Sequence, residues 1–190
     1  MRKLIYPHMV SLDGYIETDG PDKPSDWATG DEELTRHFID FEATTDAHLY
    51  GRRIYEQLAR DWPAMGEHPS APPYVAGYAR LWMAKPKIVF SRTLTHVEWN
   101  ARLAGDAAAE ITGLKEEPGG DLAIYGANLV AGLLPLGLID EIRAYVNPVL
   151  LCGGKPMFPQ LDNIIRLDLI ESRVFGCGVV LLRYGVGDGD

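Results

Sequence analysis

Residues 121–158, DLAIYGANLVAGLLPLGLIDEIRAYVNPVLLCGGKPMF, constrain this chain more than any other stretch. Residues 122–125 read as a short buried strand that Gly126-Ala127 ends at once. Residues 128–134 read as the first turns of a helix. Small residues between a strand end and a helix start let a ligand approach the backbone. The free N–H groups and positive dipole end of such a helix suit a phosphate. Gly137 is placed to stop the helix as a C-cap, and residues 139–146 run as another strand into Pro148. The unit is strand, small-residue turn, helix, strand.

The rest of the chain repeats that alternation. Residues 3–10 read as a first, central strand broken by Ser11-Leu12-Asp13-Gly14 and resumed briefly at 15–17. Residues 18–25 form a polar loop, and 18–24 are placed to act as a lid. A helix is expected over 31–41, where Leu34, Phe38 and Phe41 share a face. A strand at 47–50 leads straight into a helix at 52–59. With four prolines, residues 62–73 read as an irregular surface excursion. Helix 75–83, strand 87–91, a short strand at 97–99 and helix 103–116 follow. Gly153-Gly154-Lys155 reads as a turn. Strands at 166–175 and 179–184 close the chain as a hairpin around Gly176-Cys177-Gly178. Alternating strands and helices imply a three-layer α/β/α sandwich with a mostly parallel central sheet and an antiparallel C-terminal hairpin. A single domain is expected over 1–186, with 187–190 as a frayed tail.

Composition narrows the functions. The 190 residues fit one domain, and 46% hydrophobic content is enough for a full core. The formal charge of -9 argues against a nucleic-acid groove, which needs a basic face. An anionic cofactor must therefore be held by local arginines. Cys152 and Cys177 read as reduced, mostly buried thiols of a cytoplasmic protein. No Cys or His pair has metal-ligand spacing. No run approaches the roughly 20 apolar residues of a membrane span.

Four strand ends carry chemically useful residues. Asp13, at the break in the first strand, is placed to orient a substrate or relay a proton; an Asx turn with Gly14 explains it equally well. Gly51-Arg52-Arg53 opens a helix with two arginines where acids are normally preferred, which makes sense if an anion arrives there. Ser91-Arg92-Thr93 suits a phosphomonoester, since Arg grips one through paired charge-assisted bonds. The fourth is the Gly126-Ala127-Asn128 turn. Neither GxGxxG nor a P-loop occurs. Together these residues look like an NADP site, with the pyrophosphate at helix N-termini and the 2′-phosphate on arginine and serine.

With these pieces in order, the chain resembles the dihydrofolate-reductase-like superfamily. It is closest to the reductase domain of the bifunctional riboflavin-biosynthesis deaminase-reductase and to its small stand-alone bacterial relatives. The resemblance rests on SLDGYI at 11–16, LYGRRIYE at 49–56, IVFSRTL at 88–94, IYGA at 124–127, GLIDEI at 137–142 and NPVLLCGGKPMF at 147–158. It implies an NADPH-dependent reductase acting on a small heterocyclic or ribosylamino-pyrimidine substrate. Alternatives are a dihydrofolate reductase, another carbonyl or imine reductase, and a catalytically silent protein of the same fold.

By resemblance, Gly51, Arg52, Arg53, Ser91, Arg92 and Thr93 hold the cofactor. Tyr125, Gly126, Ala127, Asn128, Leu129 and Val130 wrap its pyrophosphate, and Val10 and Ser11 back the nicotinamide. Asp13 is the catalytic candidate, and Gly14, Tyr15 and Trp27 border the substrate. Two positions depart from the family pattern. Ile54 replaces a common Thr, and Ala127 replaces a second glycine, putting a methyl where it can crowd a pyrophosphate. Relatives of this kind are often dimers, so a homodimer through the apolar C-terminal strands is expected.

Overall fold

The computed structural model describes residues 1–18, 27–161 and 163–187. The lid expected at 18–24 therefore lies, apart from Thr18, outside the described residues, as does the tail from 188. The fold is mixed α/β, with mostly parallel strands and an antiparallel C-terminal hairpin. Two compact units are present: Met1–Leu4 with Thr35–Gly126, and Ile5–Leu34 with Ala127–Asp190.

In the first unit, β3 (Thr45–Gly51), β4 (Lys87–Phe90), β5 (Ala101–Ala104) and β6 (Asp121–Tyr125) are all parallel, in the order β5-β4-β3-β6. Parallel strands are covered on both faces and so read as near-continuous apolar runs; all of Lys87–Phe90 is buried. The helices here are the greater part of α1 (Glu32–Thr44), with α2 (Arg52–Glu67), α3 (Pro73–Ala84) and α4 (Ala107–Glu116).

Three expectations fail in this unit. The helix opening at Arg52 does not stop near residue 59; it runs through Pro63 to Glu67. A helical proline costs about 3 kcal/mol, but Leu58, Ala59 and Trp62 pack on a core of Tyr50, Tyr55, Trp82 and Val89. Trp62 also meets Tyr78 with ring centroids 4.7 Å apart. Residues 97–99 form no strand, and Trp99 and Asn100 both take positive φ. The strand comes next, at β5, in the stretch expected to begin a helix. That helix starts only at Ala107, where the Asp106 side chain caps the Ala109 N–H.

The first unit also buries a polar chain. The Trp82 indole donates to the Tyr50 hydroxyl at 2.9 Å, and Tyr50 bonds His48 Nδ1 at 2.9 Å. His48 Nε2 lies 2.8 Å from Glu42 Oε2. An indole only donates, so Tyr50 passes its proton toward Nδ1 and His48 donates to Glu42 through Nε2. Tyr78 and Lys85 add to Glu42. Burial works to raise the Glu42 pKa, but the His48 hydrogen bond, the Lys85 charge and the Tyr78 bond outweigh it, and the net direction is down. The buried Lys87 ammonium donates to the carbonyls of Trp82, Lys85 and Trp99. Burial pulls its pKa down to about 7.

In the second unit, β1 (Leu4–Ser11, from Ile5 onward), β7 (Glu141–Asn147), β10 (Val180–Val186) and β9 (Leu167–Val174) lie in the order β1-β7-β10-β9. β1 and β7 are parallel, and β10 is antiparallel to both β7 and β9. The hairpin closes through Phe175 and Val179, with Gly178 at φ 87. β2 (Tyr15–Glu17) pairs with β8 (Lys155–Pro156). Between them Gly154 lies so close that an added Cβ would fall 1.9 Å from the Glu17 carbonyl oxygen. α5 (Ala127–Leu133) passes into a 3-10 turn that Gly137 ends at φ 66. On β7, buried Glu141 is held by Arg143 and Arg183. The cysteines depart from expectation: both are free, but Cys152 is exposed and Cys177 only half-buried.

The buried His48 sets an acid limit. Burial holds its pKa below the usual 6.5, against the opposing pull of Glu42. The unfolded chain takes up a proton on this residue near that pH while the native state does not. Stability is therefore full above it and falls as pH drops through it. Urea unfolding should show stability falling from pH 7 to pH 5. His48→Phe, which leaves buried Glu42 short of a donor, should cost about 1–3 kcal/mol at pH 7 and flatten that slope.

Candidate active site

In the first unit, parallel register decides which loops lie side by side. Gly51 stands opposite Phe90, and Tyr50 opposite Tyr125. The carboxyl ends of β3, β4 and β6 are thus level. The residues that follow, Gly51 to Arg53, Ser91 to Thr93 and Gly126, share one edge. Ligands of open α/β sheets sit at such an edge.

α2 starts there without a side-chain cap and with no acid in its first turn. Its leading N–H groups and positive dipole end therefore lack the usual neutralising partner. Arg52 and Arg53 are exposed on that turn; Arg52 reaches Glu56 at 3.6 Å. The Ser91 hydroxyl accepts the N–H groups of Thr93 and Leu94 at 3.2 and 3.0 Å, which builds a tight loop with exposed Arg92 at its tip. Gly126 has φ 115, a conformation that disfavours any side chain. A Cβ there would lie 3.5 Å from the Gly51 nitrogen and 3.6 Å from Ile54 Cγ2. The two glycine backbones are thus neighbours, with Ile54 beside them. Tyr125 stacks on Tyr50 with centroids 5.0 Å apart.

In the second unit, β1 and β7 end level at Ser11 and Asn147. Buried Ser11 donates its hydroxyl to Asp13 Oδ1 at 2.6 Å and accepts the Tyr15 N–H at 2.9 Å. Asp13 is exposed, yet both its oxygens are engaged. Oδ1 also accepts the Leu151 N–H at 3.1 Å, and Oδ2 accepts the Cys152 N–H at 2.8 Å. The Ser11 hydroxyl and these two amides hold its pKa below the usual carboxylate range, against a smaller opposing effect of burial. Asp13 is therefore an ionised latch between the 11–14 turn and the 147–152 loop, with no proton to give at neutral pH. Gly14 has φ 90 and accepts the Met157 N–H. Tyr15 and Trp27 are half-buried, and Val10 is buried.

Ala127 and Val130 are each 0% exposed. The Ala127 methyl therefore does not project into open space where it would crowd a pyrophosphate. Of the α5 side chains expected to wrap a ligand, only exposed Asn128 and half-buried Leu129 present surface. Sequence reasoning missed Leu151 and Cys152 as parts of the latch. They lie in the NPVLLCGG stretch, but no residue type there announces the backbone N–H groups that Asp13 binds.

The RibD C-terminal domain model matches residues 2–181. The chain belongs to the RibD C-terminal domain family. It is 35% identical over 188 residues to the uncharacterized protein YyaP of Bacillus subtilis (strain 168), covering 96% of this chain and 94% of that one. Among solved structures, a putative riboflavin biosynthesis protein from Shewanella sp. PV-4 superposes with TM-score 0.69 at 23% identity, over 98% of this chain and 99% of that one. The deaminase/5-amino-6-(5-phosphoribosylamino)uracil reductase of Thermotoga maritima gives 0.65 at 14% identity, over 98% of this chain and 57% of that one. Dihydrofolate reductase from Enterococcus faecalis, complexed with NADP(H), gives 0.61 at 16% identity, over 98% and 97%. RibD-type and dihydrofolate-reductase-type chains thus share this member's fold.

Asp13→Ala should speed amide hydrogen exchange at residues 151–152 while leaving the protein folded. In the wild type, the same exchange should accelerate beyond its intrinsic pH dependence only at strongly acid pH. The depressed pKa keeps the latch charged above the ordinary carboxylate range and loses it as pH falls through the folded value.

Proposed function

We propose that this RibD C-terminal domain family member is an NADPH-dependent reductase of a small heterocyclic substrate of the ribosylamino-pyrimidine type. The observation that carries the reading is the level edge of the first unit. An uncapped, acid-free helix start bearing Arg52 and Arg53, the Ser91-Arg92-Thr93 loop and the adjoining Gly51 and Gly126 backbones all lie along it. These groups fit a dinucleotide phosphate chain in a protein whose net charge of -9 would otherwise repel one. The names of the fold neighbours, a riboflavin biosynthesis protein and a phosphoribosylamino-uracil reductase, support the substrate class.

NADPH would supply the hydride. The α2 N–H groups and Arg53 would hold its phosphates, and Arg92 would grip the 2′-phosphate beside Thr93. Gly51 and Gly126 would let the pyrophosphate lie close to the backbone. Ser11 and Val10 would back the reacting ring. Asp13 would act by orientation: its carboxylate fixes the 11–14 turn, with Gly14 and Tyr15, against the 147–152 loop. The half-buried Trp27 would form a wall of the substrate space.

We further infer a cytoplasmic homodimer. Two free cysteines suit a reducing compartment, and no helix among the described residues is long and apolar enough to cross a membrane. Edge strand β9 leaves Leu169 60% and Val174 71% exposed, an apolar face that a second copy would cover.

NADPH titration followed by fluorescence tests the cofactor reading, and absence of binding by the wild type overturns it. Arg92→Ala should weaken NADPH roughly 10–100-fold, as expected for a charge-assisted bond of about 1.5–3 kcal/mol, with little effect on NADH. In sedimentation velocity, Leu169→Glu combined with Val174→Glu should convert a dimer to a monomer. A monomeric wild type removes the dimer without touching the enzyme reading.

A further inference from the structure

The second unit holds a buried carboxamide to which the reductase reading assigns no task. Asn147 closes β7 opposite Ser11 and is 1% exposed. Its Oδ1 accepts the Thr29 N–H at 2.9 Å. Its Nδ2 donates to the Tyr145 carbonyl at 2.9 Å and to the Val10 carbonyl at 3.3 Å. The partners fix the orientation of the amide, because a backbone N–H only donates and a carbonyl only accepts. A flipped carboxamide would lose every one of these bonds.

The bond to Thr29 joins segments 118 positions apart in sequence. Residues 27–30 are neither helix nor strand, and Ala28, Thr29 and Gly30 are exposed. A segment of this kind has little packing of its own to hold it. Its next anchor is Asp31, whose carboxylate accepts the Leu34 N–H as α1 begins. Asn147 therefore ties residues 27–30 to the end of β1 at Val10, one residue before Ser11 and three before Asp13.

We propose that Asn147 is a positioning residue: its carboxamide fixes residues 27–30, and Trp27 with them, relative to the Ser11–Asp13 turn. This rests on the reductase reading for the statement that Trp27 borders the substrate. Asn147 itself touches no substrate. Its loss therefore falls on recognition of the reducible substrate and spares the phosphate-binding edge of the first unit.

The test uses the full-length protein and Asn147→Ala, with Asn147→Ser as the alternative should the alanine variant fail to fold. Hydrogen exchange of the peptide carrying Thr29 is measured beside NADPH affinity, melting temperature and steady-state kinetics with 5-amino-6-(5-phosphoribosylamino)uracil as the reducible probe. The expected result is faster exchange at Thr29, NADPH affinity within about twofold of wild type, and kcat/KM lowered roughly tenfold or more, mainly through KM. Unchanged exchange at Thr29 overturns the proposal. So does a parallel loss of NADPH affinity, melting temperature and kcat, which marks a general structural role. A wild type that neither binds NADPH nor reduces the probe sinks the reductase reading instead. Exchange at Thr29 then still decides whether Asn147 holds the segment.

Discussion

The in-register parallel pairing of β3 with β4 and β6 is the constraint on which the edge proposed to bind phosphate depends. Hydrogen bonding along these strands sets Gly51 level with Phe90 and Tyr50 level with Tyr125. A shift of one residue would turn the apolar side chains of β3 to the wrong face and move Gly51 away from Gly126. The register is held on the face that Tyr50 and His48 share. Val89 and Tyr50 pack into an aromatic core with Tyr55 and Trp82, while His48 is fixed by its bond to Glu42. The polar chain Trp82–Tyr50–His48–Glu42 leaves each member a partner, which is what allows so many polar atoms to be buried beside the strand ends.

The second unit achieves order by other means. Three short side chains hold its strand-end loops. Asp13 gathers the amides of Leu151 and Cys152, and Ser11 bonds Asp13 and the Tyr15 amide together. Asn147 performs the same service for Thr29. Apart from the Ser11–Asp13 bond, these are side-chain-to-backbone bonds, which satisfy loop N–H groups that would otherwise need water. The carboxylate most suggestive of acid–base chemistry in the sequence thus also holds the two loops together. Its depressed pKa follows from the same bonds.

Much of this was legible in the amino-acid order. The strand, glycine and helix at 121–133, the hairpin about Gly178 and the C-cap at Gly137 follow from local rules, and the structure has all of them. The arginines at the start of α2 announced themselves by contradicting the usual charge preference of a helix N-terminus. Other features were hidden. Pro63 reads as a helix breaker, yet Trp62 and Leu58 keep the helix because their packing outweighs one lost backbone bond. The end of β5, Leu103-Ala104, reads as the start of a helix, since nothing local distinguishes it from the alanine-rich stretch after it. Only β4, offering an unpaired edge, makes it a strand.

The sequence by itself determined the class of fold, the family and the residue types available to hold an anion. Those depend on hydrophobic period, turn chemistry and motif order, which are properties of neighbouring residues. Tertiary structure alone decided that Asp13 is a latch, that the Ala127 methyl points away from open space, and that Asn147 reaches Thr29. Each of these depends on which backbone groups, far away in sequence, lack a partner at the place where the side chain arrives. That demand arises only when the strands have aligned and the loops have met.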